Sequence, residues 1–155
     1  MLEETVGKLL MEKQLTIACA ESCTGGLLTS CLTDVEGSSA YVMGSVVSYT
    51  NEVKESLVGV KHETLVTHGA VSEETAREMA EGIRHVIGTA LGVGITGIAG
   101  PGGGTETKPV GLVYIAVAGD KGTTVKKNIF HGSRMENKRS SVEKALEMLH
   151  AYLDQ

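Results

Sequence analysis

The stretch Ala20–Gly26 (AESCTGG) decides how this chain folds, because it joins an apolar run to a helical pattern. The run before it, residues 15–19, is typical of a buried strand, and the apolar residues of 27–35 recur at helical spacing. Its glycines allow the backbone to approach a ligand closely, and the first N–H groups of a helix lack partners within that helix. We therefore expect the chemistry of the protein at this turn between strand and helix.

The composition is that of one globular domain. The chain has 155 residues, of which 41% are hydrophobic and 21% are charged, so it is long enough to bury a core. Its 20 glycines are nearly twice the usual share of about 7%, which indicates many tight turns or close contacts between backbone and ligand. We expect a single domain over residues 1–155.

Charge and hydropathy argue against several classes of protein. The net charge is −5 and basic residues form no run, which disfavours nucleic-acid binding. No apolar stretch reaches membrane-spanning length, and the acidic start Met1–Glu4 does not resemble a signal peptide. The three cysteines fit neither a disulfide framework nor a zinc site, and the five histidines show no ligand spacing. We expect a cytoplasmic protein without a catalytic metal.

Apolar periodicity predicts strands that alternate with helices and then finish in a hairpin. The predicted strands cover residues 15–19, 44–49, 90–97, 109–118 and 123–130. This order predicts an α/β fold, a three-layer α/β/α sandwich with a mixed, mostly parallel sheet of about five or six strands, in which residues 109–118 form a long central strand.

Three loops with functional side chains follow predicted strands: Glu21–Gly26, Tyr49–Lys54 and Thr96–Gly104. Ligands of such sheets bind beyond the carboxyl ends of the strands. We expect these loops to converge at one edge of the sheet, and the predicted function depends on that convergence.

Five blocks of sequence, in this order, resemble the CinA C-terminal domain family. They are Ala20–Gly26, Ser48–Lys54, His68–Ser72, Gly97–Gly103 and Lys108–Gly111, and the resemblance runs over nearly the whole chain. A single glycine-rich block would be weak evidence, whereas five blocks in order are specific.

The resemblance implies an activity, a fold and a domain organisation. Characterised members are nicotinamide-nucleotide amidases, which convert nicotinamide mononucleotide and water to nicotinic acid mononucleotide and ammonia without a cofactor. The implied fold is a three-layer α/β/α sandwich. Many relatives carry an additional N-terminal domain that resembles molybdopterin-binding proteins. This sequence does not contain it, so we expect no pyrophosphatase activity of the kind tied to that domain.

Ser22 is the candidate nucleophile, because it stands at the strand–helix turn with backbone N–H groups just after it. From the local sequence alone, a helix-capping serine is an equal alternative. Cys23 is the chemical competitor. Neighbouring residues of an extended segment face opposite sides, so we expect only one of the two to face the site, with Cys23 buried and structural.

Lys54 is the candidate base, because a partly desolvated lysine can lose its charge and accept a proton from serine. The alternative is a solvated lysine on a short helix, and the resemblance favours the catalytic role. The resemblance also includes Tyr49, which could orient the substrate, relay a proton or pack on the nicotinamide ring. A tyrosine in the core at a strand end is the alternative for Tyr49.

The remaining candidates are residues that could bind the substrate. Thr24, Gly25 and Gly26 could donate to a phosphate or an oxyanion, against a simple capping role for the threonine. The glycine-rich loop could wrap the nucleotide through Thr96, Gly97 and Gly100, against a role as a strand-end turn. Ser39 could contact the carboxamide or the ribose, although a serine with no role beyond the turn is at least as good an alternative.

Arg134 is the candidate for the substrate phosphate, because a guanidinium group fits phosphate with two hydrogen bonds. Lys138 and Arg139 are alternatives. Some relatives have Gly-Asp-Arg where this chain has Gly132-Ser133-Arg134, so a role of that aspartate in orienting charge does not carry over to Ser133 from the resemblance.

Two other functions stay open from the sequence. One is a nucleotide-binding or regulatory module that keeps the pocket without hydrolysis. The other is a scaffold linked to DNA uptake, which the negative charge disfavours. The expected partner is a small nucleotide, with no nucleic acid and no membrane, and a homo-oligomer is possible.

Overall fold

A five-stranded sheet runs through the middle of the molecule, and the computed structural model describes all residues, 1–155. The strands are β1 (Ile17–Glu21), β2 (Val42–Val47), β3 (Leu91–Gly97), β4 (Leu112–Gly119) and β5 (Gly122–Ile129). The helices are α1 (Leu2–Lys13), α2 (Leu27–Thr33), α3 (Asn51–Val58), α4 (His62–His68), α5 (Glu73–Ile87) and α6 (Arg134–Leu153). A single 3₁₀ turn, Ser38–Ala40, precedes β2.

The sheet has the strand order β2-β1-β3-β4-β5 and is mixed. Strand β1 is parallel to both β2 and β3, whereas β4 is antiparallel to β3 and β5 is antiparallel to β4. The predicted α/β sandwich with a mixed sheet is confirmed, but parallel pairs do not predominate and β3, not β4, is central. The reason is the connection from β3 to β4, which contains no crossover helix, so the chain turns back beside the strand it has just left.

Helices cover both faces of the sheet. On one face, α1, α2 and α6 pack against inward-facing side chains that include Ile17 and Cys19 of β1. On the other face, α5 lies across the sheet and α3 and α4 pack against it, with Ala18 and Ala20 of β1 buried beneath. Successive side chains of β1 point to opposite faces of the sheet, as they do in any extended strand. Each face therefore packs against its own layer of helices, which gives the three layers.

Strand β3 carries glycines because α5 approaches it closely. A Cβ atom on Gly94 would lie 2.5 Å from the carbonyl oxygen of Ala76 and 2.7 Å from the backbone nitrogen of Ala80. A Cβ atom on Gly92 would also collide with α5, at the carbonyl oxygen of Ala80. The glycines of β3 are therefore explained by the close packing of α5 on the sheet.

None of the helices is both long enough and apolar enough to cross a membrane.

Replacing Gly94 with alanine tests this helix–sheet contact. We expect Gly94→Ala to cost about 1–3 kcal/mol of unfolding free energy, because an inserted methyl group forces α5 and β3 apart. Each kcal/mol lowers the Tm of a domain of this size by about 2–4 °C, which circular dichroism measures on heating. Gly44→Ala in β2 is the matched control, because its Cβ would meet Ile87 at an ordinary 3.7 Å. Equal shifts in Tm for the two variants would contradict this account.

Candidate active site

The carboxyl ends of β1, β2 and β3 meet at one edge of the sheet. The backbone N–H of Ser22 donates to the carbonyl oxygen of Ile95 at 3.0 Å, and the N–H of Ser48 donates to that of Glu21 at 2.8 Å. These two hydrogen bonds fix the end of β1 between its neighbours. The predicted convergence of strand-end loops is therefore present, and the functional side chains project from it.

Lys54 reaches this edge from the start of α3. The side chain of Thr50 caps that helix by accepting from the N–H of Val53 at 3.3 Å, and one turn later Lys54 points back at the strand ends. Its Nζ lies 3.1 Å from the Oγ of Ser22. The expectation that these two groups, 32 positions apart in sequence, are neighbours is confirmed.

The amine of Lys54 is buried with only 1% of the residue exposed. Besides Ser22, it contacts two main-chain acceptors, the carbonyl oxygens of Ser48 at 2.8 Å and Tyr49 at 3.3 Å. No carboxylate forms an ion pair with it. Burial therefore lowers the pKa of Lys54 below the ordinary lysine range, and the nearby Cys23 opposes part of that shift.

The three contacts of Lys54 orient its lone pair when the amine is neutral. A neutral amine keeps two N–H donors and one lone pair. The carbonyl groups of Ser48 and Tyr49 can only accept, so they take the two donors. The lone pair then faces the hydroxyl of Ser22, which is the arrangement that proton removal from that hydroxyl requires.

Cys23 is buried in the main core, as expected, but it also lines the same cavity as Ser22, so the two residues do not lie on opposite sides. Residues 22–26 form a turn and not an extended segment, and the alternation of side chains does not apply there. Burial raises the pKa of the Cys23 thiol to about 11. The thiol therefore keeps its proton near neutral pH, which leaves Ser22 as the better-placed nucleophile.

The cavity at these strand ends has a volume of about 270 Å³. Tyr49 lies at its rim with 60% of the residue exposed, which rules out the alternative of a tyrosine in the core. The predicted site residues that line the cavity are Ser22, Tyr49, Lys54, Thr96, Gly97, Gly100 and Arg134.

Ser39 is not at this cavity. It lies in the 3₁₀ turn that precedes β2, whereas the cavity lies beyond the opposite end of that strand. Six strand residues at about 3.3 Å each separate the two ends by about 20 Å. The expected contact of Ser39 with the substrate is therefore wrong for the cavity of this chain. Ser39 precedes β2 and lies at the amino ends of the parallel strands, whereas the cavity lies at their carboxyl ends.

Thr24, Gly25 and Gly26 shape the turn and do not line the cavity. The hydroxyl of Thr24 donates to Glu21 at 2.7 Å, so it is not free to bind a phosphate. Gly25 and Gly26 have φ values of 62° and 101°, in the left-handed region that favours glycine. The expectation that Gly25, Gly26 and the Thr24 hydroxyl contact the ligand is not supported, whereas the N–H groups of Cys23 and Thr24 form no hydrogen bond with another residue and remain available as donors.

The start of α6 holds the glycine-rich loop. Arg134 donates to the carbonyl oxygen of Gly100 at 2.8 Å, and the buried Asn137 donates to that of Ala99 at 3.0 Å. Asn137 also accepts from the N–H of Gly132 at 2.9 Å. Ser133 caps α6 together with Glu136, so it has a structural role here.

Residues of this loop with unpaired backbone N–H groups line the cavity, together with Arg134 of α6. The N–H groups of Ala99, Gly100, Gly102 and Gly103 make no hydrogen bond within the chain, and Arg134 lies beside them. The alternative cations do not line this cavity, and Arg139 lines a different one between α1, α2 and α6. Arg134 is therefore the best placed of the three predicted phosphate ligands.

Four residues at or behind the cavity had no role predicted from the sequence. Ala70 and Val71 form an apolar wall of the cavity, and the hydroxyl of Thr96 holds that wall by donating to the carbonyl oxygen of Ala70 at 2.7 Å. The signal was present, because the block His68–Ser72 contributed to the resemblance without any role assigned. Asn51 at the rim also lies within a block of the resemblance, Ser48–Lys54, whereas Asn137 behind the loop carried no local signal.

These features define a class of protein: a three-layer α/β/α sandwich with a buried serine–lysine pair at its strand ends. The chain belongs to the CinA C-terminal domain family, whose model matches residues 1–153.

Similar proteins are described as competence-damage inducible proteins. One from Moorella thermoacetica is 49% identical over 148 residues, and one from Clostridium perfringens is 50% identical over 153 residues. These alignments cover 96% and 99% of this chain but only 36% and 37% of the relatives, so the chain spans little more than a third of their length.

Solved structures of similar proteins match over the whole domain. The competence/damage inducible protein CihA from Agrobacterium tumefaciens has a TM-score of 0.93 and 41% identity, and the match covers 100% of this chain and 97% of that one. The competence damage-inducible protein A from Klebsiella pneumoniae has a TM-score of 0.96 and 32% identity, with 99% and 96% covered.

The burial of Lys54 predicts a pH-dependent stability. Because its pKa is lowered on folding, the unfolded chain binds more protons in the window between the folded pKa and the ordinary value of about 10.4. The free energy of unfolding, relative to that of Lys54→Met, should therefore rise with pH in this window, by at most about 1.4 kcal/mol per pH unit. Urea unfolding from pH 7 to 10 measures it, with Lys8→Met on the surface as control. A difference that is constant or falls with pH would contradict the burial of a titrating amine.

Proposed function

We propose that this chain hydrolyses the carboxamide of nicotinamide mononucleotide to nicotinic acid mononucleotide and ammonia, in the salvage of pyridine nucleotides. The observation that carries the proposal is the 3.1 Å contact between the buried Oγ of Ser22 and the buried Nζ of Lys54. Membership of the CinA C-terminal domain family supports the choice of substrate, because the resemblance implies this activity. The free thiols of all three cysteines favour the reducing cytoplasm as the place of the reaction.

In the first half of the reaction, neutral Lys54 takes the hydroxyl proton of Ser22 while the Oγ atom attacks the carboxamide carbon. Negative charge then develops on the carboxamide oxygen. The free N–H groups of Cys23 and Thr24 follow the nucleophile directly and are the nearest candidates to stabilise that charge. The lowered pKa of Lys54 matters here, because only the uncharged amine can accept the proton.

In the second half, the Lys54 ammonium gives its proton to the amide nitrogen, and the C–N bond breaks to release ammonia. The substrate is then an ester on Ser22. Water attacks this ester with Lys54 as the base, the C–O bond to Ser22 breaks, and the serine regains its proton. One amide and one water thus become one carboxylic acid and one ammonia, and the enzyme returns to its starting state.

The other walls of the cavity suit the rest of the nucleotide. The free N–H groups of the glycine-rich loop and the guanidinium of Arg134 provide donors for a phosphate. Ala70 and Val71 provide an apolar surface for the ring, and Tyr49 at the rim can cover it. A site of this kind binds its ligand by one charged end and one flat apolar end.

Ammonia release from nicotinamide mononucleotide tests the proposed function. We expect turnover by the wild-type chain and a loss of at least about 10³-fold in kcat for Ser22→Ala, because the variant has no nucleophile. A coupled glutamate dehydrogenase assay measures the ammonia. Ser39→Ala is the matched control, since it removes a serine hydroxyl at the opposite edge of the sheet and should leave kcat unchanged. No ammonia from the wild-type chain would overturn the function, and full release by Ser22→Ala would overturn the mechanism.

The role of Arg134 is tested by comparing the nucleotide with its nucleoside. We expect Arg134→Gln to raise KM for nicotinamide mononucleotide about 10- to 100-fold. This is the loss in binding expected when a hydrogen bond to a charged group, which contributes about 1.5–3 kcal/mol, is removed. The value of kcat/KM for nicotinamide riboside, which has no phosphate, should change little. Arg139→Gln is the control, because that residue lines the other cavity. A similar loss for both substrates would assign Arg134 to holding the loop through Gly100 instead.

A further inference from the structure

The residue before the candidate nucleophile is a buried carboxylate that the proposed mechanism does not use. Glu21 is the last residue of β1 and is 1% exposed. One oxygen accepts from the Thr24 hydroxyl at 2.7 Å and the Leu28 N–H at 2.9 Å. The other accepts from the N–H of Thr29 at 2.9 Å and from its hydroxyl at 2.6 Å. No cation forms an ion pair with it, so four hydrogen bonds alone compensate the buried group.

These hydrogen bonds replace an ordinary helix cap. The N-cap residue of α2 is Gly26, which has no side chain to accept from the first N–H groups of the helix. Glu21 supplies that acceptor from the strand that precedes the turn. The start of α2 is therefore filled by a carboxylate of the chain itself, and a substrate phosphate has no place there.

The turn that carries Ser22 is therefore held in place by hydrogen bonds both where it leaves β1 and where it enters α2. The peptide group between Glu21 and Ser22 is tied on one side to Ser48, just after β2, and on the other side to Ile95 of β3, and the Glu21 side chain is tied to α2. Ser22 is the next residue, so its backbone has little freedom to move. The hydroxyl of Thr24 is turned toward the carboxylate and away from the cavity, while the N–H groups of Cys23 and Thr24 stay unpaired.

We propose that Glu21 is a positioning residue, which holds the Ser22 hydroxyl against Lys54 and keeps the two N–H groups free for the reacting oxygen. The inference rests on the proposed role of Ser22 as nucleophile. Glu21 does not touch the substrate, and it acts by fastening the end of β1 to the start of α2. A displacement of about 1 Å at a reacting atom can cost about 100-fold in rate, so a loosened turn has a measurable effect.

The test uses a serine-directed fluorophosphonate, so that it does not depend on the natural substrate. In this reaction a bond forms between the Oγ of Ser22 and phosphorus, the P–F bond breaks, fluoride leaves, and Lys54 takes the hydroxyl proton. Mass spectrometry identifies the labelled residue and gives the second-order rate constant for labelling of the folded protein. Ammonia release from nicotinamide mononucleotide is measured in parallel.

Glu21→Gln keeps the size of the side chain but replaces one acceptor oxygen with a donor, which leaves the N–H of either Leu28 or Thr29 without an acceptor. We expect labelling of Ser22 to slow about 10- to 100-fold. Glu78→Gln is the matched control, because the Glu78 carboxylate accepts from Lys61 and Thr64 at the start of α4, away from the cavity. That variant should lose stability without a change in the rate of labelling.

A second variant keeps the test decisive where Glu21→Gln does not fold. Thr29→Val removes one of the four donors and retains the backbone N–H, so we expect slower labelling by about 2- to 10-fold. Thr33→Val, one turn later on the same helix, removes a hydroxyl that bonds only to backbone carbonyls and should have no effect.

The outcomes separate the two proposals. A folded Glu21→Gln protein that is labelled as fast as Glu78→Gln would overturn the positioning role, and so would a wild-type protein whose Ser22 is not labelled. Where Glu21→Gln does not fold, labelling of Thr29→Val at the wild-type rate has the same meaning. A wild-type protein that is labelled but releases no ammonia would overturn the proposed function, while slower labelling of Glu21→Gln would still support the positioning role.

Discussion

The candidate site depends on one unfavourable placement, the burial of the Lys54 amine between strand ends. Removing an ammonium group from water costs several kcal/mol unless polar partners replace the solvent. Here the partners are a serine hydroxyl and two carbonyl groups that directly follow β2, and none of them carries a formal charge. The burial that lowers the pKa of Lys54 also places its amine beside the hydroxyl of Ser22. Stability and reactivity therefore oppose each other at this residue, as is common at functional sites.

Hydrogen bonds on two sides of the cavity hold the loops around Lys54 in place. Behind the nucleophile, Glu21 fastens the end of β1 to α2. Across the cavity, Arg134 and Asn137 at the start of α6 hold consecutive carbonyl groups of the glycine-rich loop. Both devices use a polar side chain on a regular element to fix a loop that is rich in glycine. A site on loops thus acquires the precision of the helices and strands beside it.

Much of the architecture could be predicted because its signals are local. Apolar periodicity identified the strands and the main helices, and glycine-rich turns identified their ends. The strand order and the balance of parallel and antiparallel pairs could not be predicted in the same way, since they depend on which strand each segment lies beside. The missing crossover helix between β3 and β4 was the only local hint. Ser39 was misplaced for a related reason, since its distance from Ser22 in sequence says nothing about which edge of the sheet it occupies.

The sequence by itself determined the α/β class, the strand–turn–helix unit around Ser22 and the family to which the chain belongs, because each of these depends on residue type and short spacing. Only the tertiary structure decided which polar groups meet. It brought Lys54 to Ser22, turned the Thr24 hydroxyl toward Glu21, and placed Arg134, but not Lys138 or Arg139, at the cavity. The physical reason is that hydrogen bonds and burial act over about 3 Å in space, and in this site they join residues as near in the chain as Glu21 and Thr24 and as far apart as Ser22 and Ile95.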